Sequence, residues 1–172
     1  MTAAAGRLIL KTNDRGRALY TRLLLASDGT RESLVALREG ALIAQSFGAA
    51  AHLLIIDPDT TMGRMAEGYD ALPMPAHGQA LLDLGLARLK QLGVSATGEL
   101  LRGEPTPLIV DCVQRLKIDL VVLGHRRQSF LNRWWSGGSG GYIVDGISCS
   151  LLVARAIITD EVFERRLTGH TE

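Results

Sequence analysis

The chain has 172 residues, of which 47% are hydrophobic and 22% are charged, enough apolar material for one domain with a sheet covered on both faces. Nineteen Lys and Arg residues against 18 Asp and Glu residues leave a net charge of +1, which excludes a global attraction to nucleic acid or to anionic membranes. Every hydrophobic run is shorter than the roughly 18 residues of a membrane span, so we expect a soluble protein.

The cysteine content and the N-terminal segment indicate where the protein resides. Cys112 and Cys149 lack paired spacing, and we expect both to be buried thiols in a reducing, cytoplasmic compartment. Residues 1–20 contain several basic residues, but their apolar patch at residues 8–10 is too short for a signal peptide. We therefore predict an N-terminal extension at residues 1–20, a domain at residues 21–156 and a C-terminal tail at residues 157–172.

Apolar runs of strand length alternate with amphipathic segments of helix length, the pattern of a parallel sheet with crossover helices. The predicted strands cover residues 22–27, 51–57, 95–101, 118–124 and 149–154. The third is the weakest, because Gly98 interrupts it. The sequence thus predicts an α/β fold.

Helices are predicted between these strands, at residues 31–47, 78–92 and 107–117. Thr30 and Thr106 are expected to cap the first and third helices, with Pro107 at the first helical position. Gly48 and Gly93 are expected to follow the ends of the first two. The polar tail at residues 157–172 is expected either to form a short helix or to fray.

Two polar features follow apolar strands. Asp28 comes directly after the first strand, where parallel sheets place ligand groups, and its carboxylate is suited to accept hydrogen bonds from a ribose or an adenine. Its other plausible role is to form a turn or cap a helix. After the fourth strand, residues 125–141 combine arginines with a glycine cluster, as phosphate-binding loops do. A glycine hinge beside surface arginines is an equally good interpretation.

Other polar residues carry weaker indications. Trp134 and Trp135 are suited to stack on a base or a partner, although packing of their loop onto the body is the favoured interpretation. His125 has no carboxylate or thiol partner in its motif, so we assign it no catalytic role. The four histidines show no metal-ligand spacing, and no metal ligand set is evident.

The order and spacing of these features resemble the universal stress protein family. The matching segments are Asp-Gly-Thr after the first strand, AHLLIIDP, RGEP before a helix, DLVVLG with a glycine loop, and CSLLVA. Gly124 and Gly137 match two glycines of the family's nucleotide motif. Arg127 stands where the family has a second glycine, and Gly138 stands where it has Ser or Thr, with Ser139 one position later.

The resemblance implies an open five-stranded parallel sheet of order 3-2-1-4-5, Rossmann-like and similar to the adenine nucleotide alpha hydrolases. It also implies a nucleotide site, in which Asp28 and Gly124 lie side by side. The residues that it assigns to the site are Ala26, Asp28, Ile55, Leu123, Gly124, Arg127, Gly137, Gly138 and Ser139. Arg127 either blocks a turn that glycine permits or supplies a cation to phosphate.

These features predict a regulatory protein of the stress response that binds ATP or AMP and is not an enzyme beyond very slow ATP hydrolysis. The resemblance also implies a homodimer formed through the edge strand from Cys149 to Ala154, with a protein partner that the sequence does not identify. The alternative is a nucleotide-free, dimeric interaction module with a degenerate site, which the substitutions at Arg127 and Gly138 favour. A phosphoacceptor receiver domain is disfavoured, because Leu100 and Leu101 stand where an Asp is needed.

Overall fold

A single parallel sheet forms the centre of the protein. The computed structural model describes residues 18–57, 74–124, 143–155 and 157–168. Its five strands lie in the order β3-β2-β1-β4-β5. They are β1 (Arg22–Ser27), β2 (Ala50–Asp57), β3 (Ala96–Arg102), β4 (Leu120–Gly124) and β5 (Ser150–Ala154). The sheet and its strand order confirm the expected fold.

Helices cover both faces of the sheet. Those in the described ranges are α1 (Arg31–Ala36), α2 (Arg38–Phe47), α3 (Met74–Gln91), α4 (Pro105–Leu116), α5 (Ile143–Gly146) and α6 (Asp160–Leu167). One apolar cluster joins the sheet to α2, α3 and α6, and a second joins it to α4 and α5. In these ranges no helix combines the length and apolarity that crossing a membrane requires.

The segment after β1 forms two helices, so the prediction of one helix over residues 31–47 is wrong. Thr30 caps α1 as expected, since its side chain accepts a hydrogen bond from the Ser33 N–H at 3.2 Å. Leu37 separates the two helices with a ψ of −7°, well away from the α-helical value of about −42°. Gly48 ends α2 in the left-handed region at φ 64°, as predicted.

The third predicted helix begins earlier than expected. Glu104 is the N-cap of α4 and Pro105 is its first residue, so the assignment of Thr106 and Pro107 to these positions is wrong. Pro105 suits the first position because the N–H that it lacks would have no partner inside the helix. Helix α3 also starts before the predicted Gly78, at Met74.

Gly98 does not interrupt β3, contrary to expectation. It pairs in register with Leu53. A side chain there would meet the Leu53 carbonyl oxygen and the Leu82 side chain, both at 2.7 Å. Gly98 therefore provides the space in which α3 packs closely on the sheet.

The polar tail contains a helix that packs onto the body, the first of the two outcomes expected for it. Thr159 caps α6 by accepting a hydrogen bond from the Val162 N–H at 3.3 Å. Phe163 is buried in the apolar cluster with α2 and α3. Arg38 of α2 pairs with Asp160 and Arg88 of α3 pairs with Glu164. The helix is therefore held by apolar packing at its centre and by ion pairs at its rim.

Candidate functional site

The carboxyl ends of β1 and β4 lie side by side in the middle of the sheet. The two strands pair in parallel, with Ala26 in register with Leu123. Asp28 follows β1 and Gly124 ends β4. The chain proceeds from β1 toward β3 on one side and from β4 to β5 on the other. Asp28 and Gly124 therefore lie at the switch point of the sheet, where ligands bind in open α/β folds.

The Asp28 carboxylate is buried and held in a fixed orientation. Its Oδ1 accepts hydrogen bonds from the Thr30 N–H at 3.1 Å and the Thr30 hydroxyl at 2.7 Å. This contact forms the turn after β1, in which Gly29 has a φ of 76° that favours glycine. Among the described residues, Oδ2 has no hydrogen-bond partner. The turn-forming role of Asp28 is thus present, and it uses only one of the two oxygens.

Two buried serines that the sequence analysis did not identify form hydrogen bonds that support this turn. The Ser33 hydroxyl donates a hydrogen bond to the Ser27 hydroxyl oxygen at 2.9 Å, and Ser27 accepts another from the Gly29 N–H at 3.2 Å. Both serines are fully buried. A satisfied buried network of this kind rigidifies its surroundings. Its sequence signal is weak, because Ser27 ends an apolar strand and Ser33 lies inside a helix.

Gly124 lies against the first turn of α1. A Cβ on Gly124 would stand 2.4 Å from the Ser33 carbonyl oxygen and 2.9 Å from its hydroxyl oxygen. Real Cβ atoms essentially never approach an oxygen so closely. The end of β4 thus approaches α1 closely only because residue 124 has no side chain.

The remaining predicted site residues divide into buried strand residues and residues outside the described ranges. Ala26, Ile55 and Leu123 are at most 1% exposed, so their side chains belong to the core of the sheet. Ile55 is in register with Ser27 and lies two residues before the end of β2. The predicted residues outside the described ranges are Arg127, Gly137, Gly138 and Ser139, together with His125, Trp134 and Trp135.

Asp57, at the carboxyl end of β2, is a second buried acid that the sequence analysis did not identify. Its Oδ2 accepts hydrogen bonds from Arg102 Nε at 3.1 Å and Nη2 at 2.9 Å. Its Oδ1 is buried and has no partner within the described ranges. The only signal for it in the sequence is an acidic residue closing an apolar strand.

A separate polar cluster lies between the sheet and α4. His52 of β2, Glu99 of β3 and Cys112 of α4 converge there, and Arg115 pairs with Glu99. Burial raises the pKa of the Cys112 thiol to about 12, and the neighbouring Glu99 carboxylate adds to the rise. Burial also acts to raise the pKa of Glu99, but Arg115 and His52 outweigh it, and the net pKa is lowered. Histidine spacing along the chain could not reveal this cluster, because its members come from three elements.

The two thiols should react at very different rates. Cys112 is fully buried, whereas Cys149 is only half-buried, so the expectation that both are buried is wrong for Cys149. A thiol with a pKa of about 12 is about one part in ten thousand thiolate at pH 8. Burial and the nearby Asp119 also raise the pKa of Cys149, but this residue is partly exposed whereas Cys112 is fully buried. We therefore expect Cys112 to react with a disulfide reagent at least about 100-fold more slowly than Cys149. The two rates can be measured at pH 8 from the absorbance of the thiolate that the reagent releases. A chelator is added so that no metal ion protects either thiol.

The Cys149→Ser variant should lose the fast phase of this reaction and retain the slow one. Cys112→Ser should do the opposite. Two phases of similar rate, or a fast phase that survives Cys149→Ser, would contradict the assigned burial.

Comparisons with known proteins identify the family. The sequence profile of the universal stress protein family matches residues 19–155. A universal stress protein of Methanocaldococcus jannaschii is 28% identical over 144 residues, covering 81% of this chain and 85% of that protein.

Two solved structures have the same fold. One is the universal stress protein from Archaeoglobus fulgidus in complex with dAMP, with a TM-score of 0.56, 16% identity, and coverage of 80% of this chain and 99% of that one. The other is a universal stress protein family protein from Arabidopsis thaliana with AMP bound, with a TM-score of 0.56, 16% identity, and coverage of 78% and 90%. The match to the family profile extends over every strand of the sheet, and the chain belongs to the universal stress protein family.

Proposed function

We propose that this protein binds an adenine nucleotide, ATP or AMP, at the carboxyl ends of β1 and β4 and acts as a regulatory protein in the stress response. The observation that carries the proposal is the position of Asp28 beside Gly124 at the switch point of the sheet. It is supported by relatives of the same fold that were solved with dAMP and AMP.

Asp28 is the group we assign to the nucleoside. Its Oδ1 holds the turn with Thr30, and its Oδ2 is left to accept a hydrogen bond from a ribose hydroxyl or an adenine amino group. Because the turn and the serine network fix the carboxylate before a ligand arrives, little conformational freedom is lost on binding. The backbones of Ala26 and Ile55 would complete the adenosine pocket.

The phosphates are assigned to the segment after β4. The backbones of Leu123 and Gly124 would flank the ribose and the first phosphate, and Gly137, Gly138 and Ser139 would hold the rest of the chain with their N–H groups. Arg127, which stands where the family has a second glycine, would contribute a positive charge to the phosphates. The presence of arginine at position 127 would therefore change the contacts to the phosphates and leave the adenosine pocket around Asp28 intact.

Regulation would operate through nucleotide occupancy in a cytoplasmic homodimer, with ATP hydrolysis very slow if present. We place the dimer contact at β5, which lies at an edge of the sheet and has Leu151, Leu152 and Val153 only partly buried. An exposed apolar edge strand is normally covered by a second chain or another element.

The same edge favours a second candidate function, a nucleotide-free interaction module that dimerises through β5. Arg127 and Gly138 replace two residues of the family's nucleotide motif, and Asp28 already has a structural role in its turn. In this alternative the glycine segment after β4 serves contact with a partner protein.

Calorimetric titration of ATP, ADP and AMP decides between the two functions. We expect 1:1 binding, and we expect Asp28→Asn to weaken it about 10- to 100-fold, the effect of losing a hydrogen bond to a charged group. Asparagine retains an oxygen for Thr30, so the turn survives while the second acceptor becomes a donor. Mass spectrometry of nucleotide released from the denatured protein provides a second readout.

Asp83→Asn is the matched control, because Asp83 is an exposed residue of α3 that accepts a hydrogen bond from Gln79 on the same helix. It should leave the affinity unchanged. If no nucleotide is released and no heat is seen at millimolar ligand, while sedimentation shows a dimer, the interaction module is correct.

A further inference from the structure

We propose that His52, Glu99 and Cys112 form a binding site for Zn²⁺, separate from the nucleotide site. The donor atoms of the three residues all lie within 4.8 Å of one another. His52 is the third residue of β2, so the cluster lies toward the amino ends of the strands, whereas Asp28 and Gly124 lie at their carboxyl ends. The proposal therefore does not depend on nucleotide binding.

The sheet register brings the donors together. His52 pairs with Thr97, and Leu54 pairs with Glu99, so the side chains of residues 52, 54, 97 and 99 share one face. Helix α4 packs on this face and contributes Cys112, which is fully buried. Three rigid elements thus each supply one donor of a type that zinc accepts.

The distances suit a tetrahedral ion. His52 Nε2 is 3.2 Å from Glu99 Oε1, and Cys112 Sγ is 3.7 Å from the same oxygen. Around zinc, with bonds of about 2.0–2.3 Å, neighbouring donors lie about 3.3–3.7 Å apart. These two distances already match neighbouring donors around one ion, and the third, between His52 Nε2 and Cys112 Sγ, is at most 4.8 Å and would shorten as both atoms turn toward the metal.

The surroundings of His52 orient it for coordination. Its Nδ1 is 2.8 Å from the Thr97 hydroxyl oxygen. In the metal-free protein the ionised Glu99 can only accept, so Nε2 carries the ring proton and donates it there. When an ion binds, the ring proton is carried by Nδ1 instead, which donates to the Thr97 hydroxyl and leaves the Nε2 lone pair to the metal. Metal-binding histidines usually have such a partner on the second ring nitrogen.

Arg115 compensates the charge of Glu99 in the metal-free protein. The guanidinium pairs with Glu99, and its Nε also lies 3.5 Å from Asp111, one helical turn earlier. The Arg115 side chain is 45% exposed. When an ion binds, Arg115 can keep its pairing with Asp111 and leave Glu99 to the metal, so one cation replaces another at this carboxylate.

The donor set selects the kind of ion. A thiolate and an imidazole favour Zn²⁺ over Mg²⁺ or Ca²⁺, which prefer oxygen ligands. Coordination replaces the proton of the Cys112 thiol, which leaves to solvent as the Zn–S bond forms. Three protein ligands leave the fourth position to water. The ion would tie β2, β3 and α4 together and stabilise the folded chain.

Titration of the full-length protein with Co²⁺, a coloured probe of zinc sites, tests the proposal. We expect a thiolate-to-cobalt absorption band that saturates at one ion per chain and disappears when Zn²⁺ is added. Cys112→Ser should abolish the band, and His52→Gln should weaken binding at least about tenfold. Arg115→Gln should strengthen binding, because it removes the competing cation.

Cys149→Ser is the matched control, since it removes the other thiol and should leave the band intact. Zn²⁺ should also raise the melting temperature of the wild type by a few degrees and leave that of Cys112→Ser unchanged. Absence of the band in folded wild-type protein, or a band that persists in Cys112→Ser, would overturn the proposal. Neither result depends on whether nucleotide binds.

Discussion

Replacing Gly124 with alanine is expected to lower the free energy of unfolding by about 3 kcal/mol, the upper part of the usual range for overpacking a well-packed site. The added methyl group would lie 2.4 Å from the Ser33 carbonyl oxygen. That oxygen belongs to the backbone of α1 and also accepts the Leu37 N–H at 3.1 Å, so it cannot move away as a side chain would. Either β4 or α1 must shift, which would also displace the turn that holds Asp28.

Denaturant unfolding followed by circular dichroism measures this loss, and calorimetry should show weaker nucleotide binding in the same variant. Gly48→Ala is the control that distinguishes the cost of a steric clash from the cost of an unfavourable backbone conformation. Gly48 has a φ of 64°, and apart from its chain neighbours no atom of the described residues lies within 4 Å of an added Cβ, so its left-handed conformation is what resists the change. We expect a cost of about 1 kcal/mol there. Equal losses in the two variants would refute the packing argument for Gly124.

Phe163→Ala is expected to lower the free energy of unfolding by about 3 kcal/mol, the lower end of the range for a buried phenylalanine. Phe163 is 5% exposed and lines a cavity of about 140 Å³, partly open to solvent, between α1, α2 and α3. The guanidinium of Arg38 lies over it, 5.1 Å from the ring centre. Truncation would enlarge a cavity that is already present and remove the cation–π contact. Because α6 is a short helix held to the body by Phe163 and by the ion pairs of Asp160 and Glu164, part of the loss should appear as local undocking.

Hydrogen exchange of the α6 amides, combined with denaturant unfolding, separates local from global loss. Val162→Ala is the matched control, because Val162 neighbours Phe163 on the same helix and is 36% exposed. It should cost less than about 0.5 kcal/mol, as exposed positions usually do. If Phe163→Ala behaves like Val162→Ala, α6 contributes nothing to the stability of the body.

The strands β1, β2, β4 and β5 were predictable because each is a short apolar run bounded by polar residues or glycine, whereas β3 contains Thr97 and Glu99 and was the weakest prediction. All five agree with the structure to within two residues at either end. Helix ends were less predictable where several residues compete for one position. Thr106–Pro107 and Glu104–Pro105 are both plausible starts for α4, and the choice depends on which proline can sit at the first position of the packed helix.

The nucleotide site was only partly predictable. Asp28 and Gly124 stand out in the sequence because Asp28 directly follows one apolar strand and Gly124 ends another, and the family resemblance places them together. The supporting contacts could not be predicted, since they join residues through the packing of α1 on the sheet. Ser27, Ser33 and Gly124 are in contact where α1 packs on the ends of β1 and β4. Hydrophobic periodicity along the chain does not show how close a strand end lies to a helix.

The sequence by itself determined the fold class and the order of elements, because hydrophobic periodicity and turn residues act locally along the chain. It also determined the family, through motifs that follow individual strands. Only the tertiary structure decided which polar side chains meet. His52, Glu99 and Cys112 are separated by 47 and 13 positions and become neighbours only when β2, β3 and α4 pack together. Such clusters depend on strand register and on the helix face, both of which are fixed by burial of the whole core.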